Sequence, residues 1–407
     1  PTLSRRARER TRYANLIVTI MGRAETPQMM KCRLAPDHSL TPTFSQRARE
    51  RTCSASFVVI LLGLLLVSLA GCRNESPIYT VPFQAFGDSA DLRLLGVERD
   101  VAEVVSGEIR RQLELMQEAW YSPRSLPLAR LNAGLASGEP FVAPPSLLPL
   151  LLLSQQLADR SGGLFNPAQG GLVKLWGFDG DKSTCGPPPK PQQITRLLDA
   201  APCMADIRID GLEVVCANPA VRINLAGIAK GYAIDVAIEA LREQGVRDAM
   251  LRIGDDQRAI GDRAGKPWRI AVRRPSGSAV YGIIEIGGDE SVFTVGDYEC
   301  NFLHEGRTFH YLIDPRTGYP GDRSRAVTVV HREAATADAA ARALFVAGPE
   351  RWRVVAASMG VDHVLLFDKA GAVHMSPAMA KRIERLDEEE VIISPPILAA
   401  EATDGPG

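Results

Sequence analysis

The segment that decides the fold is residues 326–348, AVTVVHREAATADAAARALFVAG. It contains one predicted helix, Thr336–Val346, and a second predicted helix, Pro349–Met359, follows it directly. Two motifs precede it, GDYE at 296–299 and HYLIDPRTGYP at 310–320. A third, INLAGIAKGYAID, lies at 223–235. These four segments contain most of the residues whose side chains could bind a ligand or take part in catalysis, so the remaining sequence is interpreted around them.

Short runs of β-branched residues alternate with helical stretches around these motifs. The predicted strands are Ile207–Ile209, Val214–Cys216, Arg269–Val272 and Ile283–Ile286, and the further predicted helices are Val97–Ala119, Pro144–Ala158 and Gly231–Glu243. In the first of these helices, apolar residues recur at three- and four-residue steps, which is the period of one helix face. This mixture predicts an α+β domain with a largely antiparallel sheet and flanking helices.

The chain of 407 residues is long enough to bury a sizeable core. Its net charge of −1 gives no electrostatic reason to expect nucleic acid as a partner. We predict a leader over 1–52, a signal peptide over 53–72, a polar linker over 73–90, one domain over 91–385 and a flexible tail over 386–407. The prolines of CGPPPKP predict a surface loop over Asp179–Gln193.

The N-terminal region has the features of an export signal. SRRARERT at 4–11 recurs as SQRARERT at 45–52, which we interpret as a disordered leader or an over-extended reading frame, with a functional basic arm as the alternative. The apolar run Phe57–Ala70 is shorter than the about 20 residues that span a bilayer and has the length of a signal-peptide core. A transmembrane anchor is the competing interpretation.

The sequence LAGC at 69–72 follows this run and resembles the lipobox of bacterial lipoproteins. In that class the cysteine, here Cys72, is lipidated and becomes the mature N-terminus. Arg73 follows it instead of the aspartate associated with inner-membrane retention, so the resemblance favours a periplasmic domain anchored by lipid to the outer membrane.

The cysteines after residue 72 leave two interpretations open. They are Cys185, Cys203, Cys216 and Cys300. In an oxidising compartment these thiols could pair, and the sequence does not choose the connectivity. Buried thiols are the alternative.

Taken together, the motifs at 223–235, 296–299 and 310–320 and the segment TADAAARA at 336–343 resemble the ApbE-like FAD:protein FMN transferases. The resemblance covers Leu95 to Arg385 and implies a single α/β domain that encloses FAD in a cleft. In that family a magnesium-dependent site cleaves the pyrophosphate of FAD and transfers FMN to a threonine of a client protein. The resemblance therefore implies FAD as substrate, Mg²⁺ as cofactor and a client protein as partner.

The resemblance also assigns residues to the cofactor. The implied FAD contacts are Tyr121, Phe165, Asn166, Asn224, Lys230 and Leu312. Both asparagines stand where the family often has aspartate, and each keeps an acceptor but loses the charge. Small residues at 226 and 227 let the backbone approach a ligand, and a helix that begins near Ala229 offers N–H groups to an anion. The alternative for the helix entry is an ordinary loop. The alternative for Tyr121 is a half-buried surface position. For Trp176 and Phe178 we expect a position in the core.

The family's metal site implies Asp338 and the carbonyl of Gly227 as ligands, together with a threonine one helical turn after the aspartate. Arg342 stands at the threonine position, and an arginine cannot ligate a cation. In one interpretation, its guanidinium points away or pairs with Asp338, and either arrangement leaves a weaker metal site. In the other, the guanidinium takes the metal's place and binds the pyrophosphate through two hydrogen bonds. A solvated helix salt bridge is the third interpretation.

The catalytic base of the family is a histidine three residues before the aspartate of DPRTG, and this chain has Tyr311 there. His310 lies beside it, but neighbouring side chains of a strand point to opposite faces, so His310 replaces it only if the strand slips or bulges. The motif GDD at 254–256 provides Asp256, for which we expect a site-ordering role, and Asp314 is expected to order the DPRTG turn.

These features predict a membrane-anchored periplasmic FAD:protein FMN transferase that releases AMP, with Tyr311 and His310 as the candidate catalytic residues. The competing function is a non-catalytic flavin-binding lipoprotein. Such a protein would keep the cleft and would have lost the catalytic histidine and threonine positions.

Overall fold

The computed structural model describes residues 77–121, 125–179 and 187–397. The predictions for the leader, for the signal peptide and for Cys72 and Cys185 lie outside these residues. Within them, no helix is both long enough and apolar enough to cross a membrane. Cys203 and Cys216 both carry free thiols, so these two do not pair with each other.

The strands are named in chain order. They are β1 (Ile78–Ala85), β2 (Asp88–Leu95), β3 (Phe141–Val142), β4 (Ile207–Asp210), β5 (Glu213–Cys216), β6 (Asp248–Ile253), β7 (Asp256–Gly261), β8 (Trp268–Arg273), β9 (Val280–Ile286), β10 (Gly288–Gly296), β11 (Asn301–His304), β12 (Arg307–His310), β13 (Ser324–His331), β14 (His363–Asp368), β15 (Val373–Met375), β16 (Ile383–Arg385) and β17 (Val391–Ile393).

The helices are named in the same way. They are α1 (Arg99–Trp120), α2 (Leu126–Ser137), α3 (Leu148–Arg160), α4 (Gly170–Leu175), α5 (Pro191–Asp199), α6 (Ala229–Glu243), α7 (Ala334–Met359) and α8 (Pro377–Ala380). Each helix and strand predicted from the sequence is present, with ends that differ by a few residues. The predicted loop over Asp179–Gln193 is cut short, because α5 already begins at Pro191, a residue well suited to the first helical turn.

The central sheet has nine strands in the order β1-β2-β6-β7-β10-β13-β14-β15-β17. Neighbouring strands are antiparallel except for β15 and β17, which run parallel. This confirms the prediction of a largely antiparallel sheet in an α+β domain. Smaller sheets are formed by β16-β9-β8, by β3-β5-β4 and by the hairpin β11-β12.

Helix α7 is packed against β10, β13 and α6. Its first half is buried on all sides and is rich in alanine, which lets the sheet and α6 approach closely. The helix changes direction at Gly348, which has φ 70° and ψ 179°, and Pro349 begins the second half. This break matches the two separate helices predicted on either side of it, since proline cannot continue the preceding hydrogen-bond pattern.

Helices α6 and α7 approach each other closely at Gly231. A Cβ atom at this position would lie 2.5 Å from the carbonyl oxygen of Ala334, so the contact requires glycine. The side chain of Asp235 then accepts hydrogen bonds from the backbone N–H groups of Ala334 and Ala335, at 2.8 and 3.0 Å. These bonds satisfy N–H groups that a helix start leaves unpaired, so α6 fixes where α7 begins.

The predicted domain limits are wrong at both ends. The expected linker over 73–90 contains β1 and the start of β2, which pair along their whole length. Pro82 is compatible with this strand because β1 is at the sheet edge, where proline is tolerated. The expected tail from 386 contains β17, which pairs with β15. In both segments polar residues and prolines hide a strand that is defined by its backbone pairing and not by its composition.

Candidate active site

A cleft of ≈770 Å³, counting its open mouth, brings together most of the site residues predicted from the sequence. The predicted residues that line it are Phe165, Asn166, Asn224, Gly227, Tyr311, Leu312 and Arg342. Apolar atoms of Leu172, Phe178 and Val346 complete the walls. The cleft thus combines the segment before α4, the loop before α6, the loop after β12 and one face of α7.

The loop before α6 is held by hydrogen bonds to its backbone. Asn132 accepts a hydrogen bond from the backbone N–H of Ile223 at 2.6 Å and donates to its carbonyl at 3.1 Å. The side chain of Asn224 accepts from the N–H of Ala226 at 2.9 Å, which forms a local turn. Asn166 does the same with the N–H of Ala168 at 3.2 Å. Both cleft asparagines therefore use their side-chain oxygen to order their own loop.

Arg342 occupies the space between α7 and this loop. Its Nε lies 3.1 Å from Oδ1 of Asp338, one helical turn earlier, and its Nη2 donates to the carbonyl of Ala226 at 3.4 Å. The guanidinium also lies over the ring of Tyr311, 5.1 Å from its centre. The side chains of Arg342 and Asp338 are only 18% and 3% exposed. The interpretation as a solvated helix salt bridge is therefore wrong.

Gly227 explains how the arginine fits. A Cβ atom at Gly227 would lie 2.9 Å from Cδ of Arg342 and 3.3 Å from the ring of Phe165. The missing side chain leaves room for the aliphatic part of Arg342 beside the loop. The small residue that was expected to admit a ligand therefore admits a side chain of the protein itself.

The buried charges around Arg342 are paired. Burial raises the pKa of Asp338 to about 6, although Arg342 lowers it. Burial disfavours the charge of Arg342, but Tyr311, Asp338 and Glu299 more than offset this and raise the pKa of the guanidinium. Arg342 is therefore a permanent cation facing the cleft.

Lys230 is bound to carboxylates beside the cleft. Its Nζ lies 2.9 Å from Oδ2 of Asp256 and 3.2 Å from Oδ2 of Asp88. Burial disfavours its charge, but these two carboxylates raise the pKa of Lys230 overall. Asp256 also accepts a hydrogen bond from the backbone N–H of Thr294 at 3.1 Å, in agreement with the expected site-ordering role. Lys230 does not line the cleft among the described residues, so the structure gives no support to its predicted contact with FAD.

Tyr311 donates a hydrogen bond from its hydroxyl to Oε2 of Glu299 at 2.6 Å. Burial, followed by the charge of Glu299, raises the pKa of Tyr311 well above its usual value, so the phenol stays protonated at neutral pH. Although the residue Glu299 as a whole is exposed, burial of its carboxylate and the repulsion of Asp256 raise its pKa to about 7, against the opposing effect of the Tyr311 hydrogen bond. A neutral hydroxyl in the cleft is thus connected to a carboxylate that titrates near physiological pH.

The sequence had not identified Glu299 as a site residue. It is the last residue of GDYE, and that motif was the available signal. The hydrogen bond between Glu299 and Tyr311 depends on the hairpin β11-β12, because its antiparallel strands bring the residues before and after it close together.

His310 does not reach the cleft. The residue is 3% exposed, its Nε2 lies 2.9 Å from the carbonyl oxygen of Gly321, and its ring packs edge-on against Phe345. Burial lowers the pKa of His310 to about 4. The prediction of His310 as a catalytic residue is therefore corrected. His310 is the last residue of β12 and its side chain is buried, whereas Tyr311, the first residue after the strand, lines the cleft.

Three aromatic residues named from the sequence have different roles. Tyr121 lies at the end of α1, is 36% exposed and packs edge-on against Phe86 at 5.4 Å between ring centres. It does not line the cleft in the part of the chain that the structure describes. Trp176 is a core residue, as expected, and its Nε1 donates to the carbonyl of Gly318 at 2.8 Å. Phe178 is partly buried: it packs against the same small core as Trp176 and also lines the cleft.

The DPRTG turn forms one wall of the cleft and is ordered by Asp314, as predicted. Its carboxylate accepts hydrogen bonds from the backbone N–H and from the guanidinium of Arg316. Its carbonyl accepts from the backbone of Thr317 and Gly318. Trp176 supports the same turn from below, so Leu312 and Tyr311 enter the cleft from a fixed loop.

The residues expected to hold Mg²⁺ do not fit that ion. Asp338 is already paired with Arg342, and the carbonyl of Ala226 accepts from the same guanidinium. Among the described residues, no three side chains of His, Cys, Asp or Glu converge to form a metal site. A divalent ion placed between Asp338 and the loop would also lie against a like charge, which is costly at short distance.

Known proteins resemble this chain over most of its length. A family model described as the ApbE family matches residues 86–365. An FAD:protein FMN transferase of Rhodobacter capsulatus is 36% identical over 316 residues, which cover 77% of this chain and 60% of that protein. An FAD:protein FMN transferase of Vibrio cholerae is 32% identical over 303 residues, which cover 72% of this chain and 88% of that protein.

Solved structures agree with this similarity. The ApbE protein of Thermotoga maritima is 28% identical with a TM-score of 0.68, over 76% of this chain and all (100%) of that chain. The apo form of the flavinyl transferase ApbE of Pseudomonas stutzeri is 27% identical with a TM-score of 0.67, over 76% of this chain and 98% of that chain.

Proposed function

Since this chain belongs to the ApbE family, we propose that it transfers FMN from FAD to a threonine hydroxyl of a client protein and releases AMP. The observation that carries the proposal is the cleft, in which the segments that resemble the family meet around Arg342 and Tyr311. The curated relatives that are named FAD:protein FMN transferases support the same activity.

The residues that line the cleft support the binding of a flavin nucleotide. Phe165, Leu172 and Leu312 provide apolar surface for a planar ring system. Arg342 provides the positive charge that faces the same space. Ligand pockets typically combine such apolar walls with a small number of placed polar groups.

The transfer step balances as follows. The client hydroxyl attacks the phosphorus of the FMN half of FAD, a new phosphoester bond forms, and the bond to the bridging oxygen of the pyrophosphate breaks. AMP leaves with that oxygen. The hydroxyl proton passes to Tyr311, whose own proton moves to Glu299 across the 2.6 Å hydrogen bond. A cation beside the pyrophosphate stabilises the charge that develops on the leaving phosphate.

Magnesium dependence was expected from the family resemblance, with Asp338 and the carbonyl of Gly227 as ligands. Because the arrangement around Arg342 does not fit a divalent ion, no step of the proposed reaction is assigned to Mg²⁺.

A second candidate function is flavin binding without transfer. It is favoured by one observation, that Tyr311 and Arg342 stand at the positions where the family pattern has histidine and threonine. In that case the cleft would hold FAD as a resident group.

One incubation separates the two functions. The full chain in detergent micelles is mixed with FAD and an acceptor domain that carries a reactive threonine, and the acceptor is analysed by in-gel flavin fluorescence and intact mass. We expect addition of FMN to the acceptor and release of AMP. FMN supplied in place of FAD is the control, because it lacks the pyrophosphate whose cleavage drives transfer. Tight FAD binding without any modification of the acceptor would replace the proposed activity by the second candidate.

We propose further that the protein is anchored in the periplasm through a lipid on Cys72, most simply at the outer membrane. The support is the sequence LAGC and the short apolar run before it.

A further inference from the structure

A guanidinium, paired with Asp338, lines the cleft at the place where the sequence pattern had suggested a divalent ion. We infer that the guanidinium of Arg342 takes the place of that ion and binds the pyrophosphate oxygens of FAD directly, so that FAD binding requires no divalent cation. The inference rests on the proposed function and specifies how the same site holds its substrate.

The first support is the fixed position of the guanidinium. Asp338 holds Nε, the carbonyl of Ala226 holds Nη2, and the ring of Tyr311 covers one face. A guanidinium has more N–H donors than the two that these contacts use, and Arg342 lines the cleft. Donors therefore remain for phosphate oxygens in a planar geometry that suits them.

The second support is the fit between Arg342 and Gly227. The absence of a Cβ at Gly227 leaves the space that the stem of the arginine fills, with 2.9 Å between the missing atom and Cδ. The loop and the arginine therefore fit together as one structure, and the carboxylate is left with a protein cation as its partner.

The third support is the charge balance. Asp338 pairs with Arg342, while Asp256 and Asp88 pair with Lys230. A divalent ion at Asp338 would leave one excess positive charge, whereas the arginine leaves the pair neutral. FAD is then held by directed hydrogen bonds more than by net charge, so its affinity should change little with divalent ions.

The test is FAD binding by the full chain in detergent micelles, measured by isothermal titration calorimetry in excess EDTA and again in excess Mg²⁺. For the wild type we expect dissociation constants that agree within about twofold. For Arg342→Thr, which restores the family pattern, we expect binding at least about tenfold weaker in EDTA, because charge-assisted hydrogen bonds are lost. Mg²⁺ should then restore most of the affinity.

Two controls isolate the pyrophosphate. Riboflavin, which carries no phosphate, should bind the wild type and Arg342→Thr equally. Arg332→Thr removes an arginine that is 76% exposed and paired with Asp289, and it should bind FAD as the wild type does under both conditions. If Arg342→Thr weakened the binding of riboflavin and of FAD by the same factor, the arginine would have a structural role and the inference would be overturned.

The wild-type measurement decides the matter even if the variant does not fold. If EDTA weakens FAD binding by the wild type tenfold or more, the inference is wrong and the proposed function stands. If the wild type does not bind FAD under either condition, the inference and the proposed function both fall.

Discussion

The hydroxyl of Tyr311, a residue that lines the cleft, donates a hydrogen bond of 2.6 Å to the carboxylate of Glu299. Tyr311 alone is a poor base because its pKa is raised further by burial. Because Glu299 accepts its hydrogen bond, Tyr311 can give its own proton to that carboxylate as it accepts another, so no lasting phenolate forms. In the proposed transfer, this pair would provide a route for the proton of the client hydroxyl in place of the histidine of the family pattern.

We expect Glu299→Gln to slow FMN transfer by about 10²–10⁴-fold, the usual contribution of a general base. FAD binding should stay unchanged, since an amide still accepts the hydrogen bond from Tyr311. Single-turnover transfer at saturating FAD measures the rate. Glu118→Gln, an exposed residue of α1, is the matched control. A Glu299→Gln enzyme of wild-type rate would exclude the relay.

A double-mutant cycle tests whether Tyr311 and Glu299 act as one unit. Tyr311→Phe removes the hydroxyl, and we expect a loss of rate similar to that of Glu299→Gln. If the proton passes through both residues, the combined variant should be no slower than the slower single variant, because groups that act together are not additive. If the rate reduction in the combined variant equalled the product of the two single reductions, the two residues would contribute independently.

The pH dependence of transfer should follow Glu299. Its pKa is raised from the ordinary glutamate range to about 7, and only the ionised carboxylate accepts a proton. The rate should therefore be low at pH 5.5–6, which is roughly one unit below this pKa, and should rise to a plateau above about pH 8. Rates in overlapping buffers at saturating FAD give the profile. Glu299→Gln should lose the inflection, and a wild-type rate that falls over this range would contradict the assignment.

Packing between α6 and α7 makes a separate prediction about stability. Gly231→Ala places a methyl group 2.5 Å from the carbonyl oxygen of Ala334, and we expect it to lower the free energy of unfolding by about 1–3 kcal/mol. Gly107→Ala in α1 is the matched control, since a Cβ there meets no atom within 4 Å. It should stabilise the helix by about 0.5–1 kcal/mol. Thermal or urea unfolding measures the change in stability of both variants. If Gly231→Ala changed the free energy of unfolding no differently from Gly107→Ala, the contact between α6 and α7 would not require glycine.

Membrane attachment should depend on Cys72. Metabolic labelling with a fatty-acid analogue should mark the wild-type protein, and Cys72→Ala should lose the label, because LAGC follows a run too short to span the bilayer comfortably. Cys53→Ala, which changes a cysteine before the apolar run, is the control and should be labelled. Equal labelling of the Cys72→Ala protein would refute the lipid anchor.

The sequence by itself determined the features that depend on neighbours along the chain. The apolar spacing of α1, the break at Gly348 and Pro349, and the turn at Asp314 each follow from local periodicity or backbone preference. The family motifs further identified the segments that meet in the cleft, because their residue types and spacings are specific over long stretches. Strand alternation indicated that His310 could not simply replace Tyr311, although His310 was still named as a candidate catalytic residue.

Only the tertiary structure decided which side chains meet across those segments. The strand β1 escaped prediction because an edge strand with Pro82 is defined by its pairing with β2 and not by its composition. The position of Arg342 was left open because it depends on the space beside Gly227, far away in the chain. Glu299 became part of the site only because a hairpin returns the chain to Tyr311. These contacts depend on how the backbone pairs and packs in three dimensions, and local propensity contains no information about which side chains then meet.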